Sequence, residues 1–248
     1  AAVEAQFILT EMGAYEKLLE ATIGHLNAQR AQGRRHVTVS PEKIDALFSK
    51  LTESNGHDVK ETSFGQLRQS AFACTKCPNL VSSRTQVVFG VGNPQADLMF
   101  VGEAPGQDED RQGEPFVGAA GKLLTKIIET MGLSRSDVYI ANILKCRPDT
   151  PGRSTGNRAP TTNEMATCVP WLHKQIDLIQ PRMLVALGKT AVGGLLEKDV
   201  AITRFRGQWQ TYRGIPMMPT FHPAYLLHNQ SLAEKRKIWE DMLAVMER

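Results

Sequence analysis

Apolar positions change their spacing near residue 64, and that change divides the chain. Before it, Phe7, Ile8, Met12, Tyr15, Leu18, Leu19, Ile23 and Leu26 recur at helical intervals, which predicts one long helix over residues 4–31. Gly33-Arg34-Arg35 interrupts the spacing. Ser40 as N-cap and Pro41 at the first helical position then mark a second, short helix running to about Leu51. The polar stretch 52–62, with Asn55-Gly56, reads as a linker. Residues 1–62 are therefore expected to form a helical extension and linker, and residues 63–248 a separate domain.

From residue 64 onward strand-like and helix-like segments alternate. Four short apolar runs, 98–101, 138–143, 183–187 and 215–220, have strand character. Segments 118–131, 161–179, 189–196 and 231–246 have helical spacing. The last three strands each follow a helical segment, the connection that parallel pairing requires. The order predicts an α/β fold, a mostly parallel sheet with helices on both faces.

Open α/β sheets bind ligands beyond the carboxyl ends of their strands, so the residues that follow each run are the first candidates for chemistry. They are Gly102-Glu103-Ala104-Pro105-Gly106, then Asn142, then Gly188-Lys189-Thr190, then Phe221-His222-Pro223. A carboxylate between glycines at a strand end favours function over a plain turn. Asn142 alone is equally well a helix cap, and His222 alone is more often structural. Two phosphate motifs are excluded. A Walker loop needs glycine five residues before Gly188, where Met183 stands, and the dinucleotide fingerprint from Gly90-Val91-Gly92 meets Gln95 at its third glycine.

The chain has four cysteines. Cys74 and Cys77 form a close pair in Cys74-Thr75-Lys76-Cys77-Pro78, while Cys146 and Cys168 stand alone. Four thiolates suit Zn²⁺ or an iron–sulfur cluster. Structural zinc usually draws its cysteines from two close pairs, so one pair with two distant singles favours the cluster. Disulfides are the weaker reading, because a chain of 248 residues can build a core without covalent staples. A net charge of +3 is too small to establish a polyanionic partner. Arg147, Arg153 and Arg158 crowd one loop, and Arg204, Arg206 and Arg213 another; such loops hold phosphates or are simply solvated. No apolar run approaches the roughly 18 residues that span a bilayer, and the N-terminus lacks a secretion pattern. A cytoplasmic protein with reduced cysteines and no membrane contact is expected.

Taken together, these residues resemble the iron–sulfur uracil-DNA glycosylases, family four of the uracil-DNA glycosylase superfamily. The resemblance runs from about Phe64 to the C-terminus. It includes the Cys74/Cys77 pair, Gly102–Gly106 with the acidic run Asp108-Glu109-Asp110, and Gly113-Glu114-Pro115-Phe116-Val117-Gly118. It continues through Asn142 to Pro148, Cys168, and His222-Pro223-Ala224-Tyr225-Leu226-Leu227. Each motif is weak alone; their order and spacing make the set specific.

The resemblance implies a three-layer α/β/α sandwich with a four-stranded parallel sheet. It implies a [4Fe–4S] cluster, mainly structural, on Cys74, Cys77, Cys146 and Cys168. It implies a monomeric hydrolase acting on uracil in single- or double-stranded DNA, releasing uracil and leaving an abasic site in base-excision repair. Phe116 would stack on the flipped base, and Asn142 would read O4 and N3–H. Glu109 would exclude the thymine methyl, and Gly102 and Ala104 would contribute to the base site. His222 would donate to O2 as charge develops, and Glu103 would orient water. This chain departs from the family at His228, where an arginine is common, which implies weaker or more pH-dependent DNA affinity. Its loop 149–161 is long and lacks the histidine with which a related branch traps the sugar, which favours turnover. A different class remains open: a non-catalytic DNA-binding or replication-associated module on the same fold. In either case residues 1–62 could dock a replication or repair protein.

Overall fold

Four parallel strands, at residues 139–142, 98–102, 183–187 and 215–220 in that spatial order, form the centre of the sheet in this computed structural model. The structure describes residues 63–149 and 157–248, together with Ala28. The two N-terminal helices and the linker expected over 1–62 lie outside the described residues, apart from Ala28, which is helical and exposed. Arg153 and most of its loop lie outside them too. The described residues from 63 on belong to one compact unit.

The chain enters through a helix at 63–72 (α1) and a single turn at Pro78–Val81 (α2). It continues as β1 (Val91–Gly92), β2 (Leu98–Gly102), α3 (Gln107–Gln112), α4 (Ala119–Thr130) and β3 (Tyr139–Asn142). Then come α5 (Thr162–Ile179), β4 (Met183–Leu187), α6 (Lys189–Leu196) and α7 (Ile202–Phe205). The chain closes with β5 (Gln210–Tyr212), β6 (Ile215–Thr220), α8 (Tyr225–His228) and α9 (Leu232–Met246). The four strands expected from the apolar runs are β2, β3, β4 and β6, and the four expected helices are α4, α5, α6 and α9.

The strands read as continuous apolar runs because both faces are covered. Met99, Val101, Tyr139, Ala141, Leu184, Ala186 and Met217 point to one side, against Leu172 and Ile176 of α5 and Val192 and Leu195 of α6. Their neighbours Leu98, Phe100, Ile140, Val185, Leu187 and Met218 point to the other, against Leu124 and Ile128 of α4 and Met242 and Val245 of α9. This alternation makes the three layers. Phe100 is fully buried at the centre of the sheet; truncating it to alanine costs about 3–5 kcal/mol.

The expected four-stranded sheet is corrected in one respect: it has six strands, with antiparallel β1 and β5 at its edges. Two- and three-residue strands carry no usable periodicity, and β1 contains Gly92, which lowers strand propensity further. The helix α1 and the single-turn or two-turn helices α2, α3, α7 and α8 also had no counterpart in the apolar pattern.

In the sheet Gly102 pairs with Asn142 and Leu187 with Thr220, so the parallel strands end level. The loops carrying Glu103, Asn142, Gly188 and His222 therefore leave from one edge. No helix among the described residues is long and apolar enough to cross a membrane.

Candidate active site

A cavity of about 240 Å³ opens at that edge, walled by Glu103, Ala104, Glu109, Phe116, Asn142 and His222. All six were candidates from sequence. Gly102 lies beneath them: a Cβ there would fall 2.6 Å from Phe116 Cζ and would also strike the Asn142 amide. Its missing side chain is what lets Asn142 and Phe116 settle onto the end of β2.

Asn142 is 2% exposed, and its Oδ1 is the one buried side-chain polar atom among the described residues without a hydrogen-bond partner. Leaving such an atom unsatisfied costs about 1–3 kcal/mol, so its position beside a cavity points to a ligand. The backbone of Asn142 is held from behind: its carbonyl accepts from Lys145 Nζ at 2.8 Å. Lys145 also donates to Gln175 Oε1 at 2.5 Å, and Gln175 Nε2 donates to the Phe89 carbonyl and the Tyr139 hydroxyl. Burial pushes the Lys145 ammonium down to about 7, against the opposing effect of Cys168 and Cys146.

Phe116 is 7% exposed and has φ of 55°. A bulky residue in the left-handed region costs on the order of 1–2 kcal/mol, so the surrounding loop must enforce it. Gly121 in α4 comes so close that a Cβ there would collide with the Phe116 backbone. The Phe116 and His222 rings lie 5.6 Å apart between centroids, tilted by 32°.

The acidic run is divided among three tasks. Asp108 pairs with Arg111 on the surface at 2.7 Å. Asp110 is buried and accepts the Thr85 N–H on both oxygens. Glu109, at N3 of α3, accepts from Gly106 N on one oxygen and from Val117 N and Gly118 N on the other. Its carboxylate thus ties the strand-end turn to the Phe116 loop while lining the cavity, and Gly106 leaves room for it.

His222 follows β6. The Ala224 N–H donates to its Nδ1 at 3.1 Å, so the neutral ring carries its hydrogen on Nε2. Burial holds its pKa down to about 4, with the Glu109 charge opposing. Gly188, at φ of 91°, gives His222 its space: a Cβ at Gly188 would fall 2.8 Å from the His222 Cβ. Burial raises the Glu103 carboxyl above its ordinary value, and a hydrogen bond with Thr190 works the other way.

The arginines are more occupied than their spacing suggested. Arg158 makes a two-point ion pair with Glu164, at 2.8 and 2.6 Å. That pairing, ahead of the Thr161 cap and the Asn79 amide, holds the Glu164 carboxyl down to about 2. Arg206 is taken up by buried Asp241, which also accepts from Thr220, and Arg213 by Asp177. Arg147 donates to Asn157 Oδ1 at 2.9 Å.

The four cysteines are free thiols that line one apolar recess beside the site. Arg84 donates to Cys146 Sγ at 3.1 Å, and the Lys145 N–H to Cys168 Sγ at 3.2 Å. Burial raises the pKa of Cys77 and Cys146 and pushes Cys168 up to about 11. Among the described residues no three His, Cys, Asp or Glu side chains close around a single-ion site. An all-sulfur donor set with N–H and guanidinium groups aimed at two of the sulfurs fits an anionic thiolate cluster.

Lys145, Gln175, Arg135 and Glu164 were not among the candidates from sequence. Only Glu164 had a local signal, as the third residue after the Thr161 cap. The other three act across more than 15 residues or in the interior, where periodicity is silent.

The uracil DNA glycosylase superfamily model matches residues 89–243. The chain is 46% identical over 173 residues to the type-4 uracil-DNA glycosylase of Thermotoga maritima, covering 68% of this chain and 85% of that protein. It is 42% identical over 188 residues to the type-4 uracil-DNA glycosylase of Sulfurisphaera tokodaii, covering 72% and 81%. With the type-4 enzyme of Archaeoglobus fulgidus it shares 40% over 181 residues, covering 70% and 87%. With the motifs standing at the strand ends where the cavity opens, the chain belongs to the uracil-DNA glycosylase superfamily.

Proposed function

We propose that this protein hydrolyses the N-glycosidic bond of uracil in DNA, releasing uracil and leaving an abasic site for base-excision repair. The observation that carries the reading is the buried, unpartnered Asn142 Oδ1 on the wall of a base-sized cavity that His222 also lines. An extruded nucleotide costs a few kcal/mol of unstacking, least in single strands. Phe116 would stack on the uracil ring. The Asn142 amide would donate to O4 and accept from N3–H, a pattern opposite to that of cytosine. Glu109 would occupy the space of a 5-methyl group.

Cleavage leaves an oxocarbenium-like sugar and a uracil anion. His222 Nε2–H would donate to O2 as charge builds there, and a low pKa suits this role because the ring needs no added proton. Glu103 would orient the attacking water and favour the developing cation. Gly102 and Ala104 would contribute the turn whose backbone borders the base.

Cys74, Cys77, Cys146 and Cys168 would hold the [4Fe–4S] cluster. Bound there, it would cross-link the segment before β1, the loop after β3 and α5, a structural service rather than a chemical one. The relatives' type-4 names and the shared recess support this reading. Iron and sulfide analysis of the brown or colourless protein separates a cluster from zinc.

DNA containing uracil is the partner this reading requires, and a monomer suffices for it. The test is release from single-stranded oligonucleotides carrying uracil, cytosine or thymine at one position. Release from uracil alone is expected. Release from none, with the DNA still bound, would leave a binding module; equal release from thymine would remove Glu109 as the discriminating group.

A further inference from the structure

We infer that Arg135 is a positioning residue for the base site: with Glu109 opposite, it holds Phe116 in the left-handed turn that aims its ring. This rests on the proposed excision reading and adds to it a residue that does not line the cavity.

Arg135 lies in the loop between α4 and β3. A tight turn fixes its base: Asp137 Oδ2 accepts from Ser134 N at 2.7 Å and from Ser134 Oγ at 2.6 Å, and Asp137 N returns to Ser134 O. Among the described residues its acceptors are Pro115 O at 2.8 Å, Phe116 O at 3.2 Å and Thr125 Oγ1 at 3.4 Å. Two of the three are successive backbone carbonyls. A guanidinium with its fork of donors can bridge such a pair; an ammonium is a point donor.

The two carbonyls belong to the two peptide planes that flank Phe116, and φ and ψ of this residue together set the rotation between them. Arg135 grips the oxygen of each plane. Glu109 grips the second plane from its other end, at Val117 N, and the next amide at Gly118 N. The cation takes the carbonyls and the anion takes the amides of a single loop. With α4 packed on the same backbone at Gly121, neither plane can turn without losing a charged hydrogen bond. Without Arg135, the positive φ of 55° has less to hold it, and relaxation toward extended backbone would swing the ring off Gly102 and Asn142.

The test is a double-mutant cycle on the full-length protein. Single-turnover uracil release from a single-stranded uracil oligonucleotide is measured for wild type, Arg135→Met, Phe116→Ala and the double variant. Arg135→Met is expected to slow release about ten- to a hundredfold at saturating DNA, with little change in DNA affinity. In the Phe116→Ala background the same change is expected to cost less than about twofold. Arg135→Lys should fall between wild type and Arg135→Met. Without DNA, amide exchange at Val117 and Gly118 should quicken in Arg135→Met.

Equal losses in both backgrounds, no loss in the parent, or unchanged exchange would each overturn the inference. Should Arg135→Met fail to fold, Arg135→Lys carries the same cycle and exchange readout, with the same outcomes decisive. A wild type that releases no uracil would end the excision reading instead, and the exchange measurement would still judge the clamp.

Discussion

The base cavity and the cysteine recess share one stretch of chain, residues 142–146, and are organised in contrasting ways. At the cavity, direction comes from the protein's own hydrogen bonds. Ala224 sets the tautomer of His222, and Glu109 and Arg135 fix the Phe116 loop. The Asn142 Oδ1 is left without a partner. At the recess the donors are soft sulfurs, with burial opposing the ionisation of Cys77, Cys146 and Cys168 and with Arg84 and the Lys145 N–H as supporting partners. On the proposed reading the first is pre-arranged for a transition state, and the second becomes a set of thiolates when compensating cationic charge is bound. Chemistry and cohesion are thus divided between neighbours, and damage to each should look different.

The largest expected effect is in the cavity. His222→Ala should lower single-turnover uracil release about 10²–10³-fold with the melting temperature nearly unchanged. Cys146→Ser should do the reverse: iron content and the visible absorption fall and the melting temperature drops on the order of 10 °C, with activity lost through unfolding. Melting curves and iron analysis on both variants check the contrast; a cysteine variant that keeps its stability would erase it.

The pH dependence sharpens the same division. With His222 held down to about 4, its ring stays neutral throughout the neutral range, so it contributes no inflection near the ordinary histidine value. The acid limb of the rate should instead follow Glu103, whose folded pKa is raised above the usual carboxylate range, and should vanish in Glu103→Gln. A limb that survives in Glu103→Gln and disappears with His222 would reverse these roles.

The smallest effect concerns the bridge between the regions. Glu164 joins Arg158, on the cavity wall, to Asn79, two residues past Cys77. Its folded pKa of about 2 lies below the unfolded value near 4.3. The stabilisation is therefore complete above about pH 4.5 and is lost as pH falls toward 2. Glu164→Gln should cost about 1–3 kcal/mol at neutral pH, and the difference from wild type should shrink through that acid window. Chemical denaturation at pH 7 and pH 3 measures it.

What sequence could show follows the range of the interactions. Strands buried on both faces and the helices α4, α5, α6 and α9 were legible to within a few residues, because their apolar spacing is a local consequence of what covers them. The strand-end rule gathered Glu103, Asn142 and His222, and the family resemblance added Glu109 and Phe116. The left-handed turn at Phe116 was not legible, since Arg135 reaches it across 19 residues. Nor was the loss of Arg158 and Arg206 to Glu164 and Asp241: spacing along a loop shows where a charge sits, and the partner is set by the fold. The edge strands β1 and β5 were simply too short for a period to register.

The most direct test of the central claim is uracil release from a single-stranded oligonucleotide with one central uracil. Wild type, His222→Ala and Asn142→Ala would be compared under single-turnover conditions, with melting temperatures alongside. The expected result is rapid release by wild type and losses of about 10²-fold or more in both variants, each as stable as the parent. Binding without release by the wild type, or release unaffected by either substitution, would contradict it.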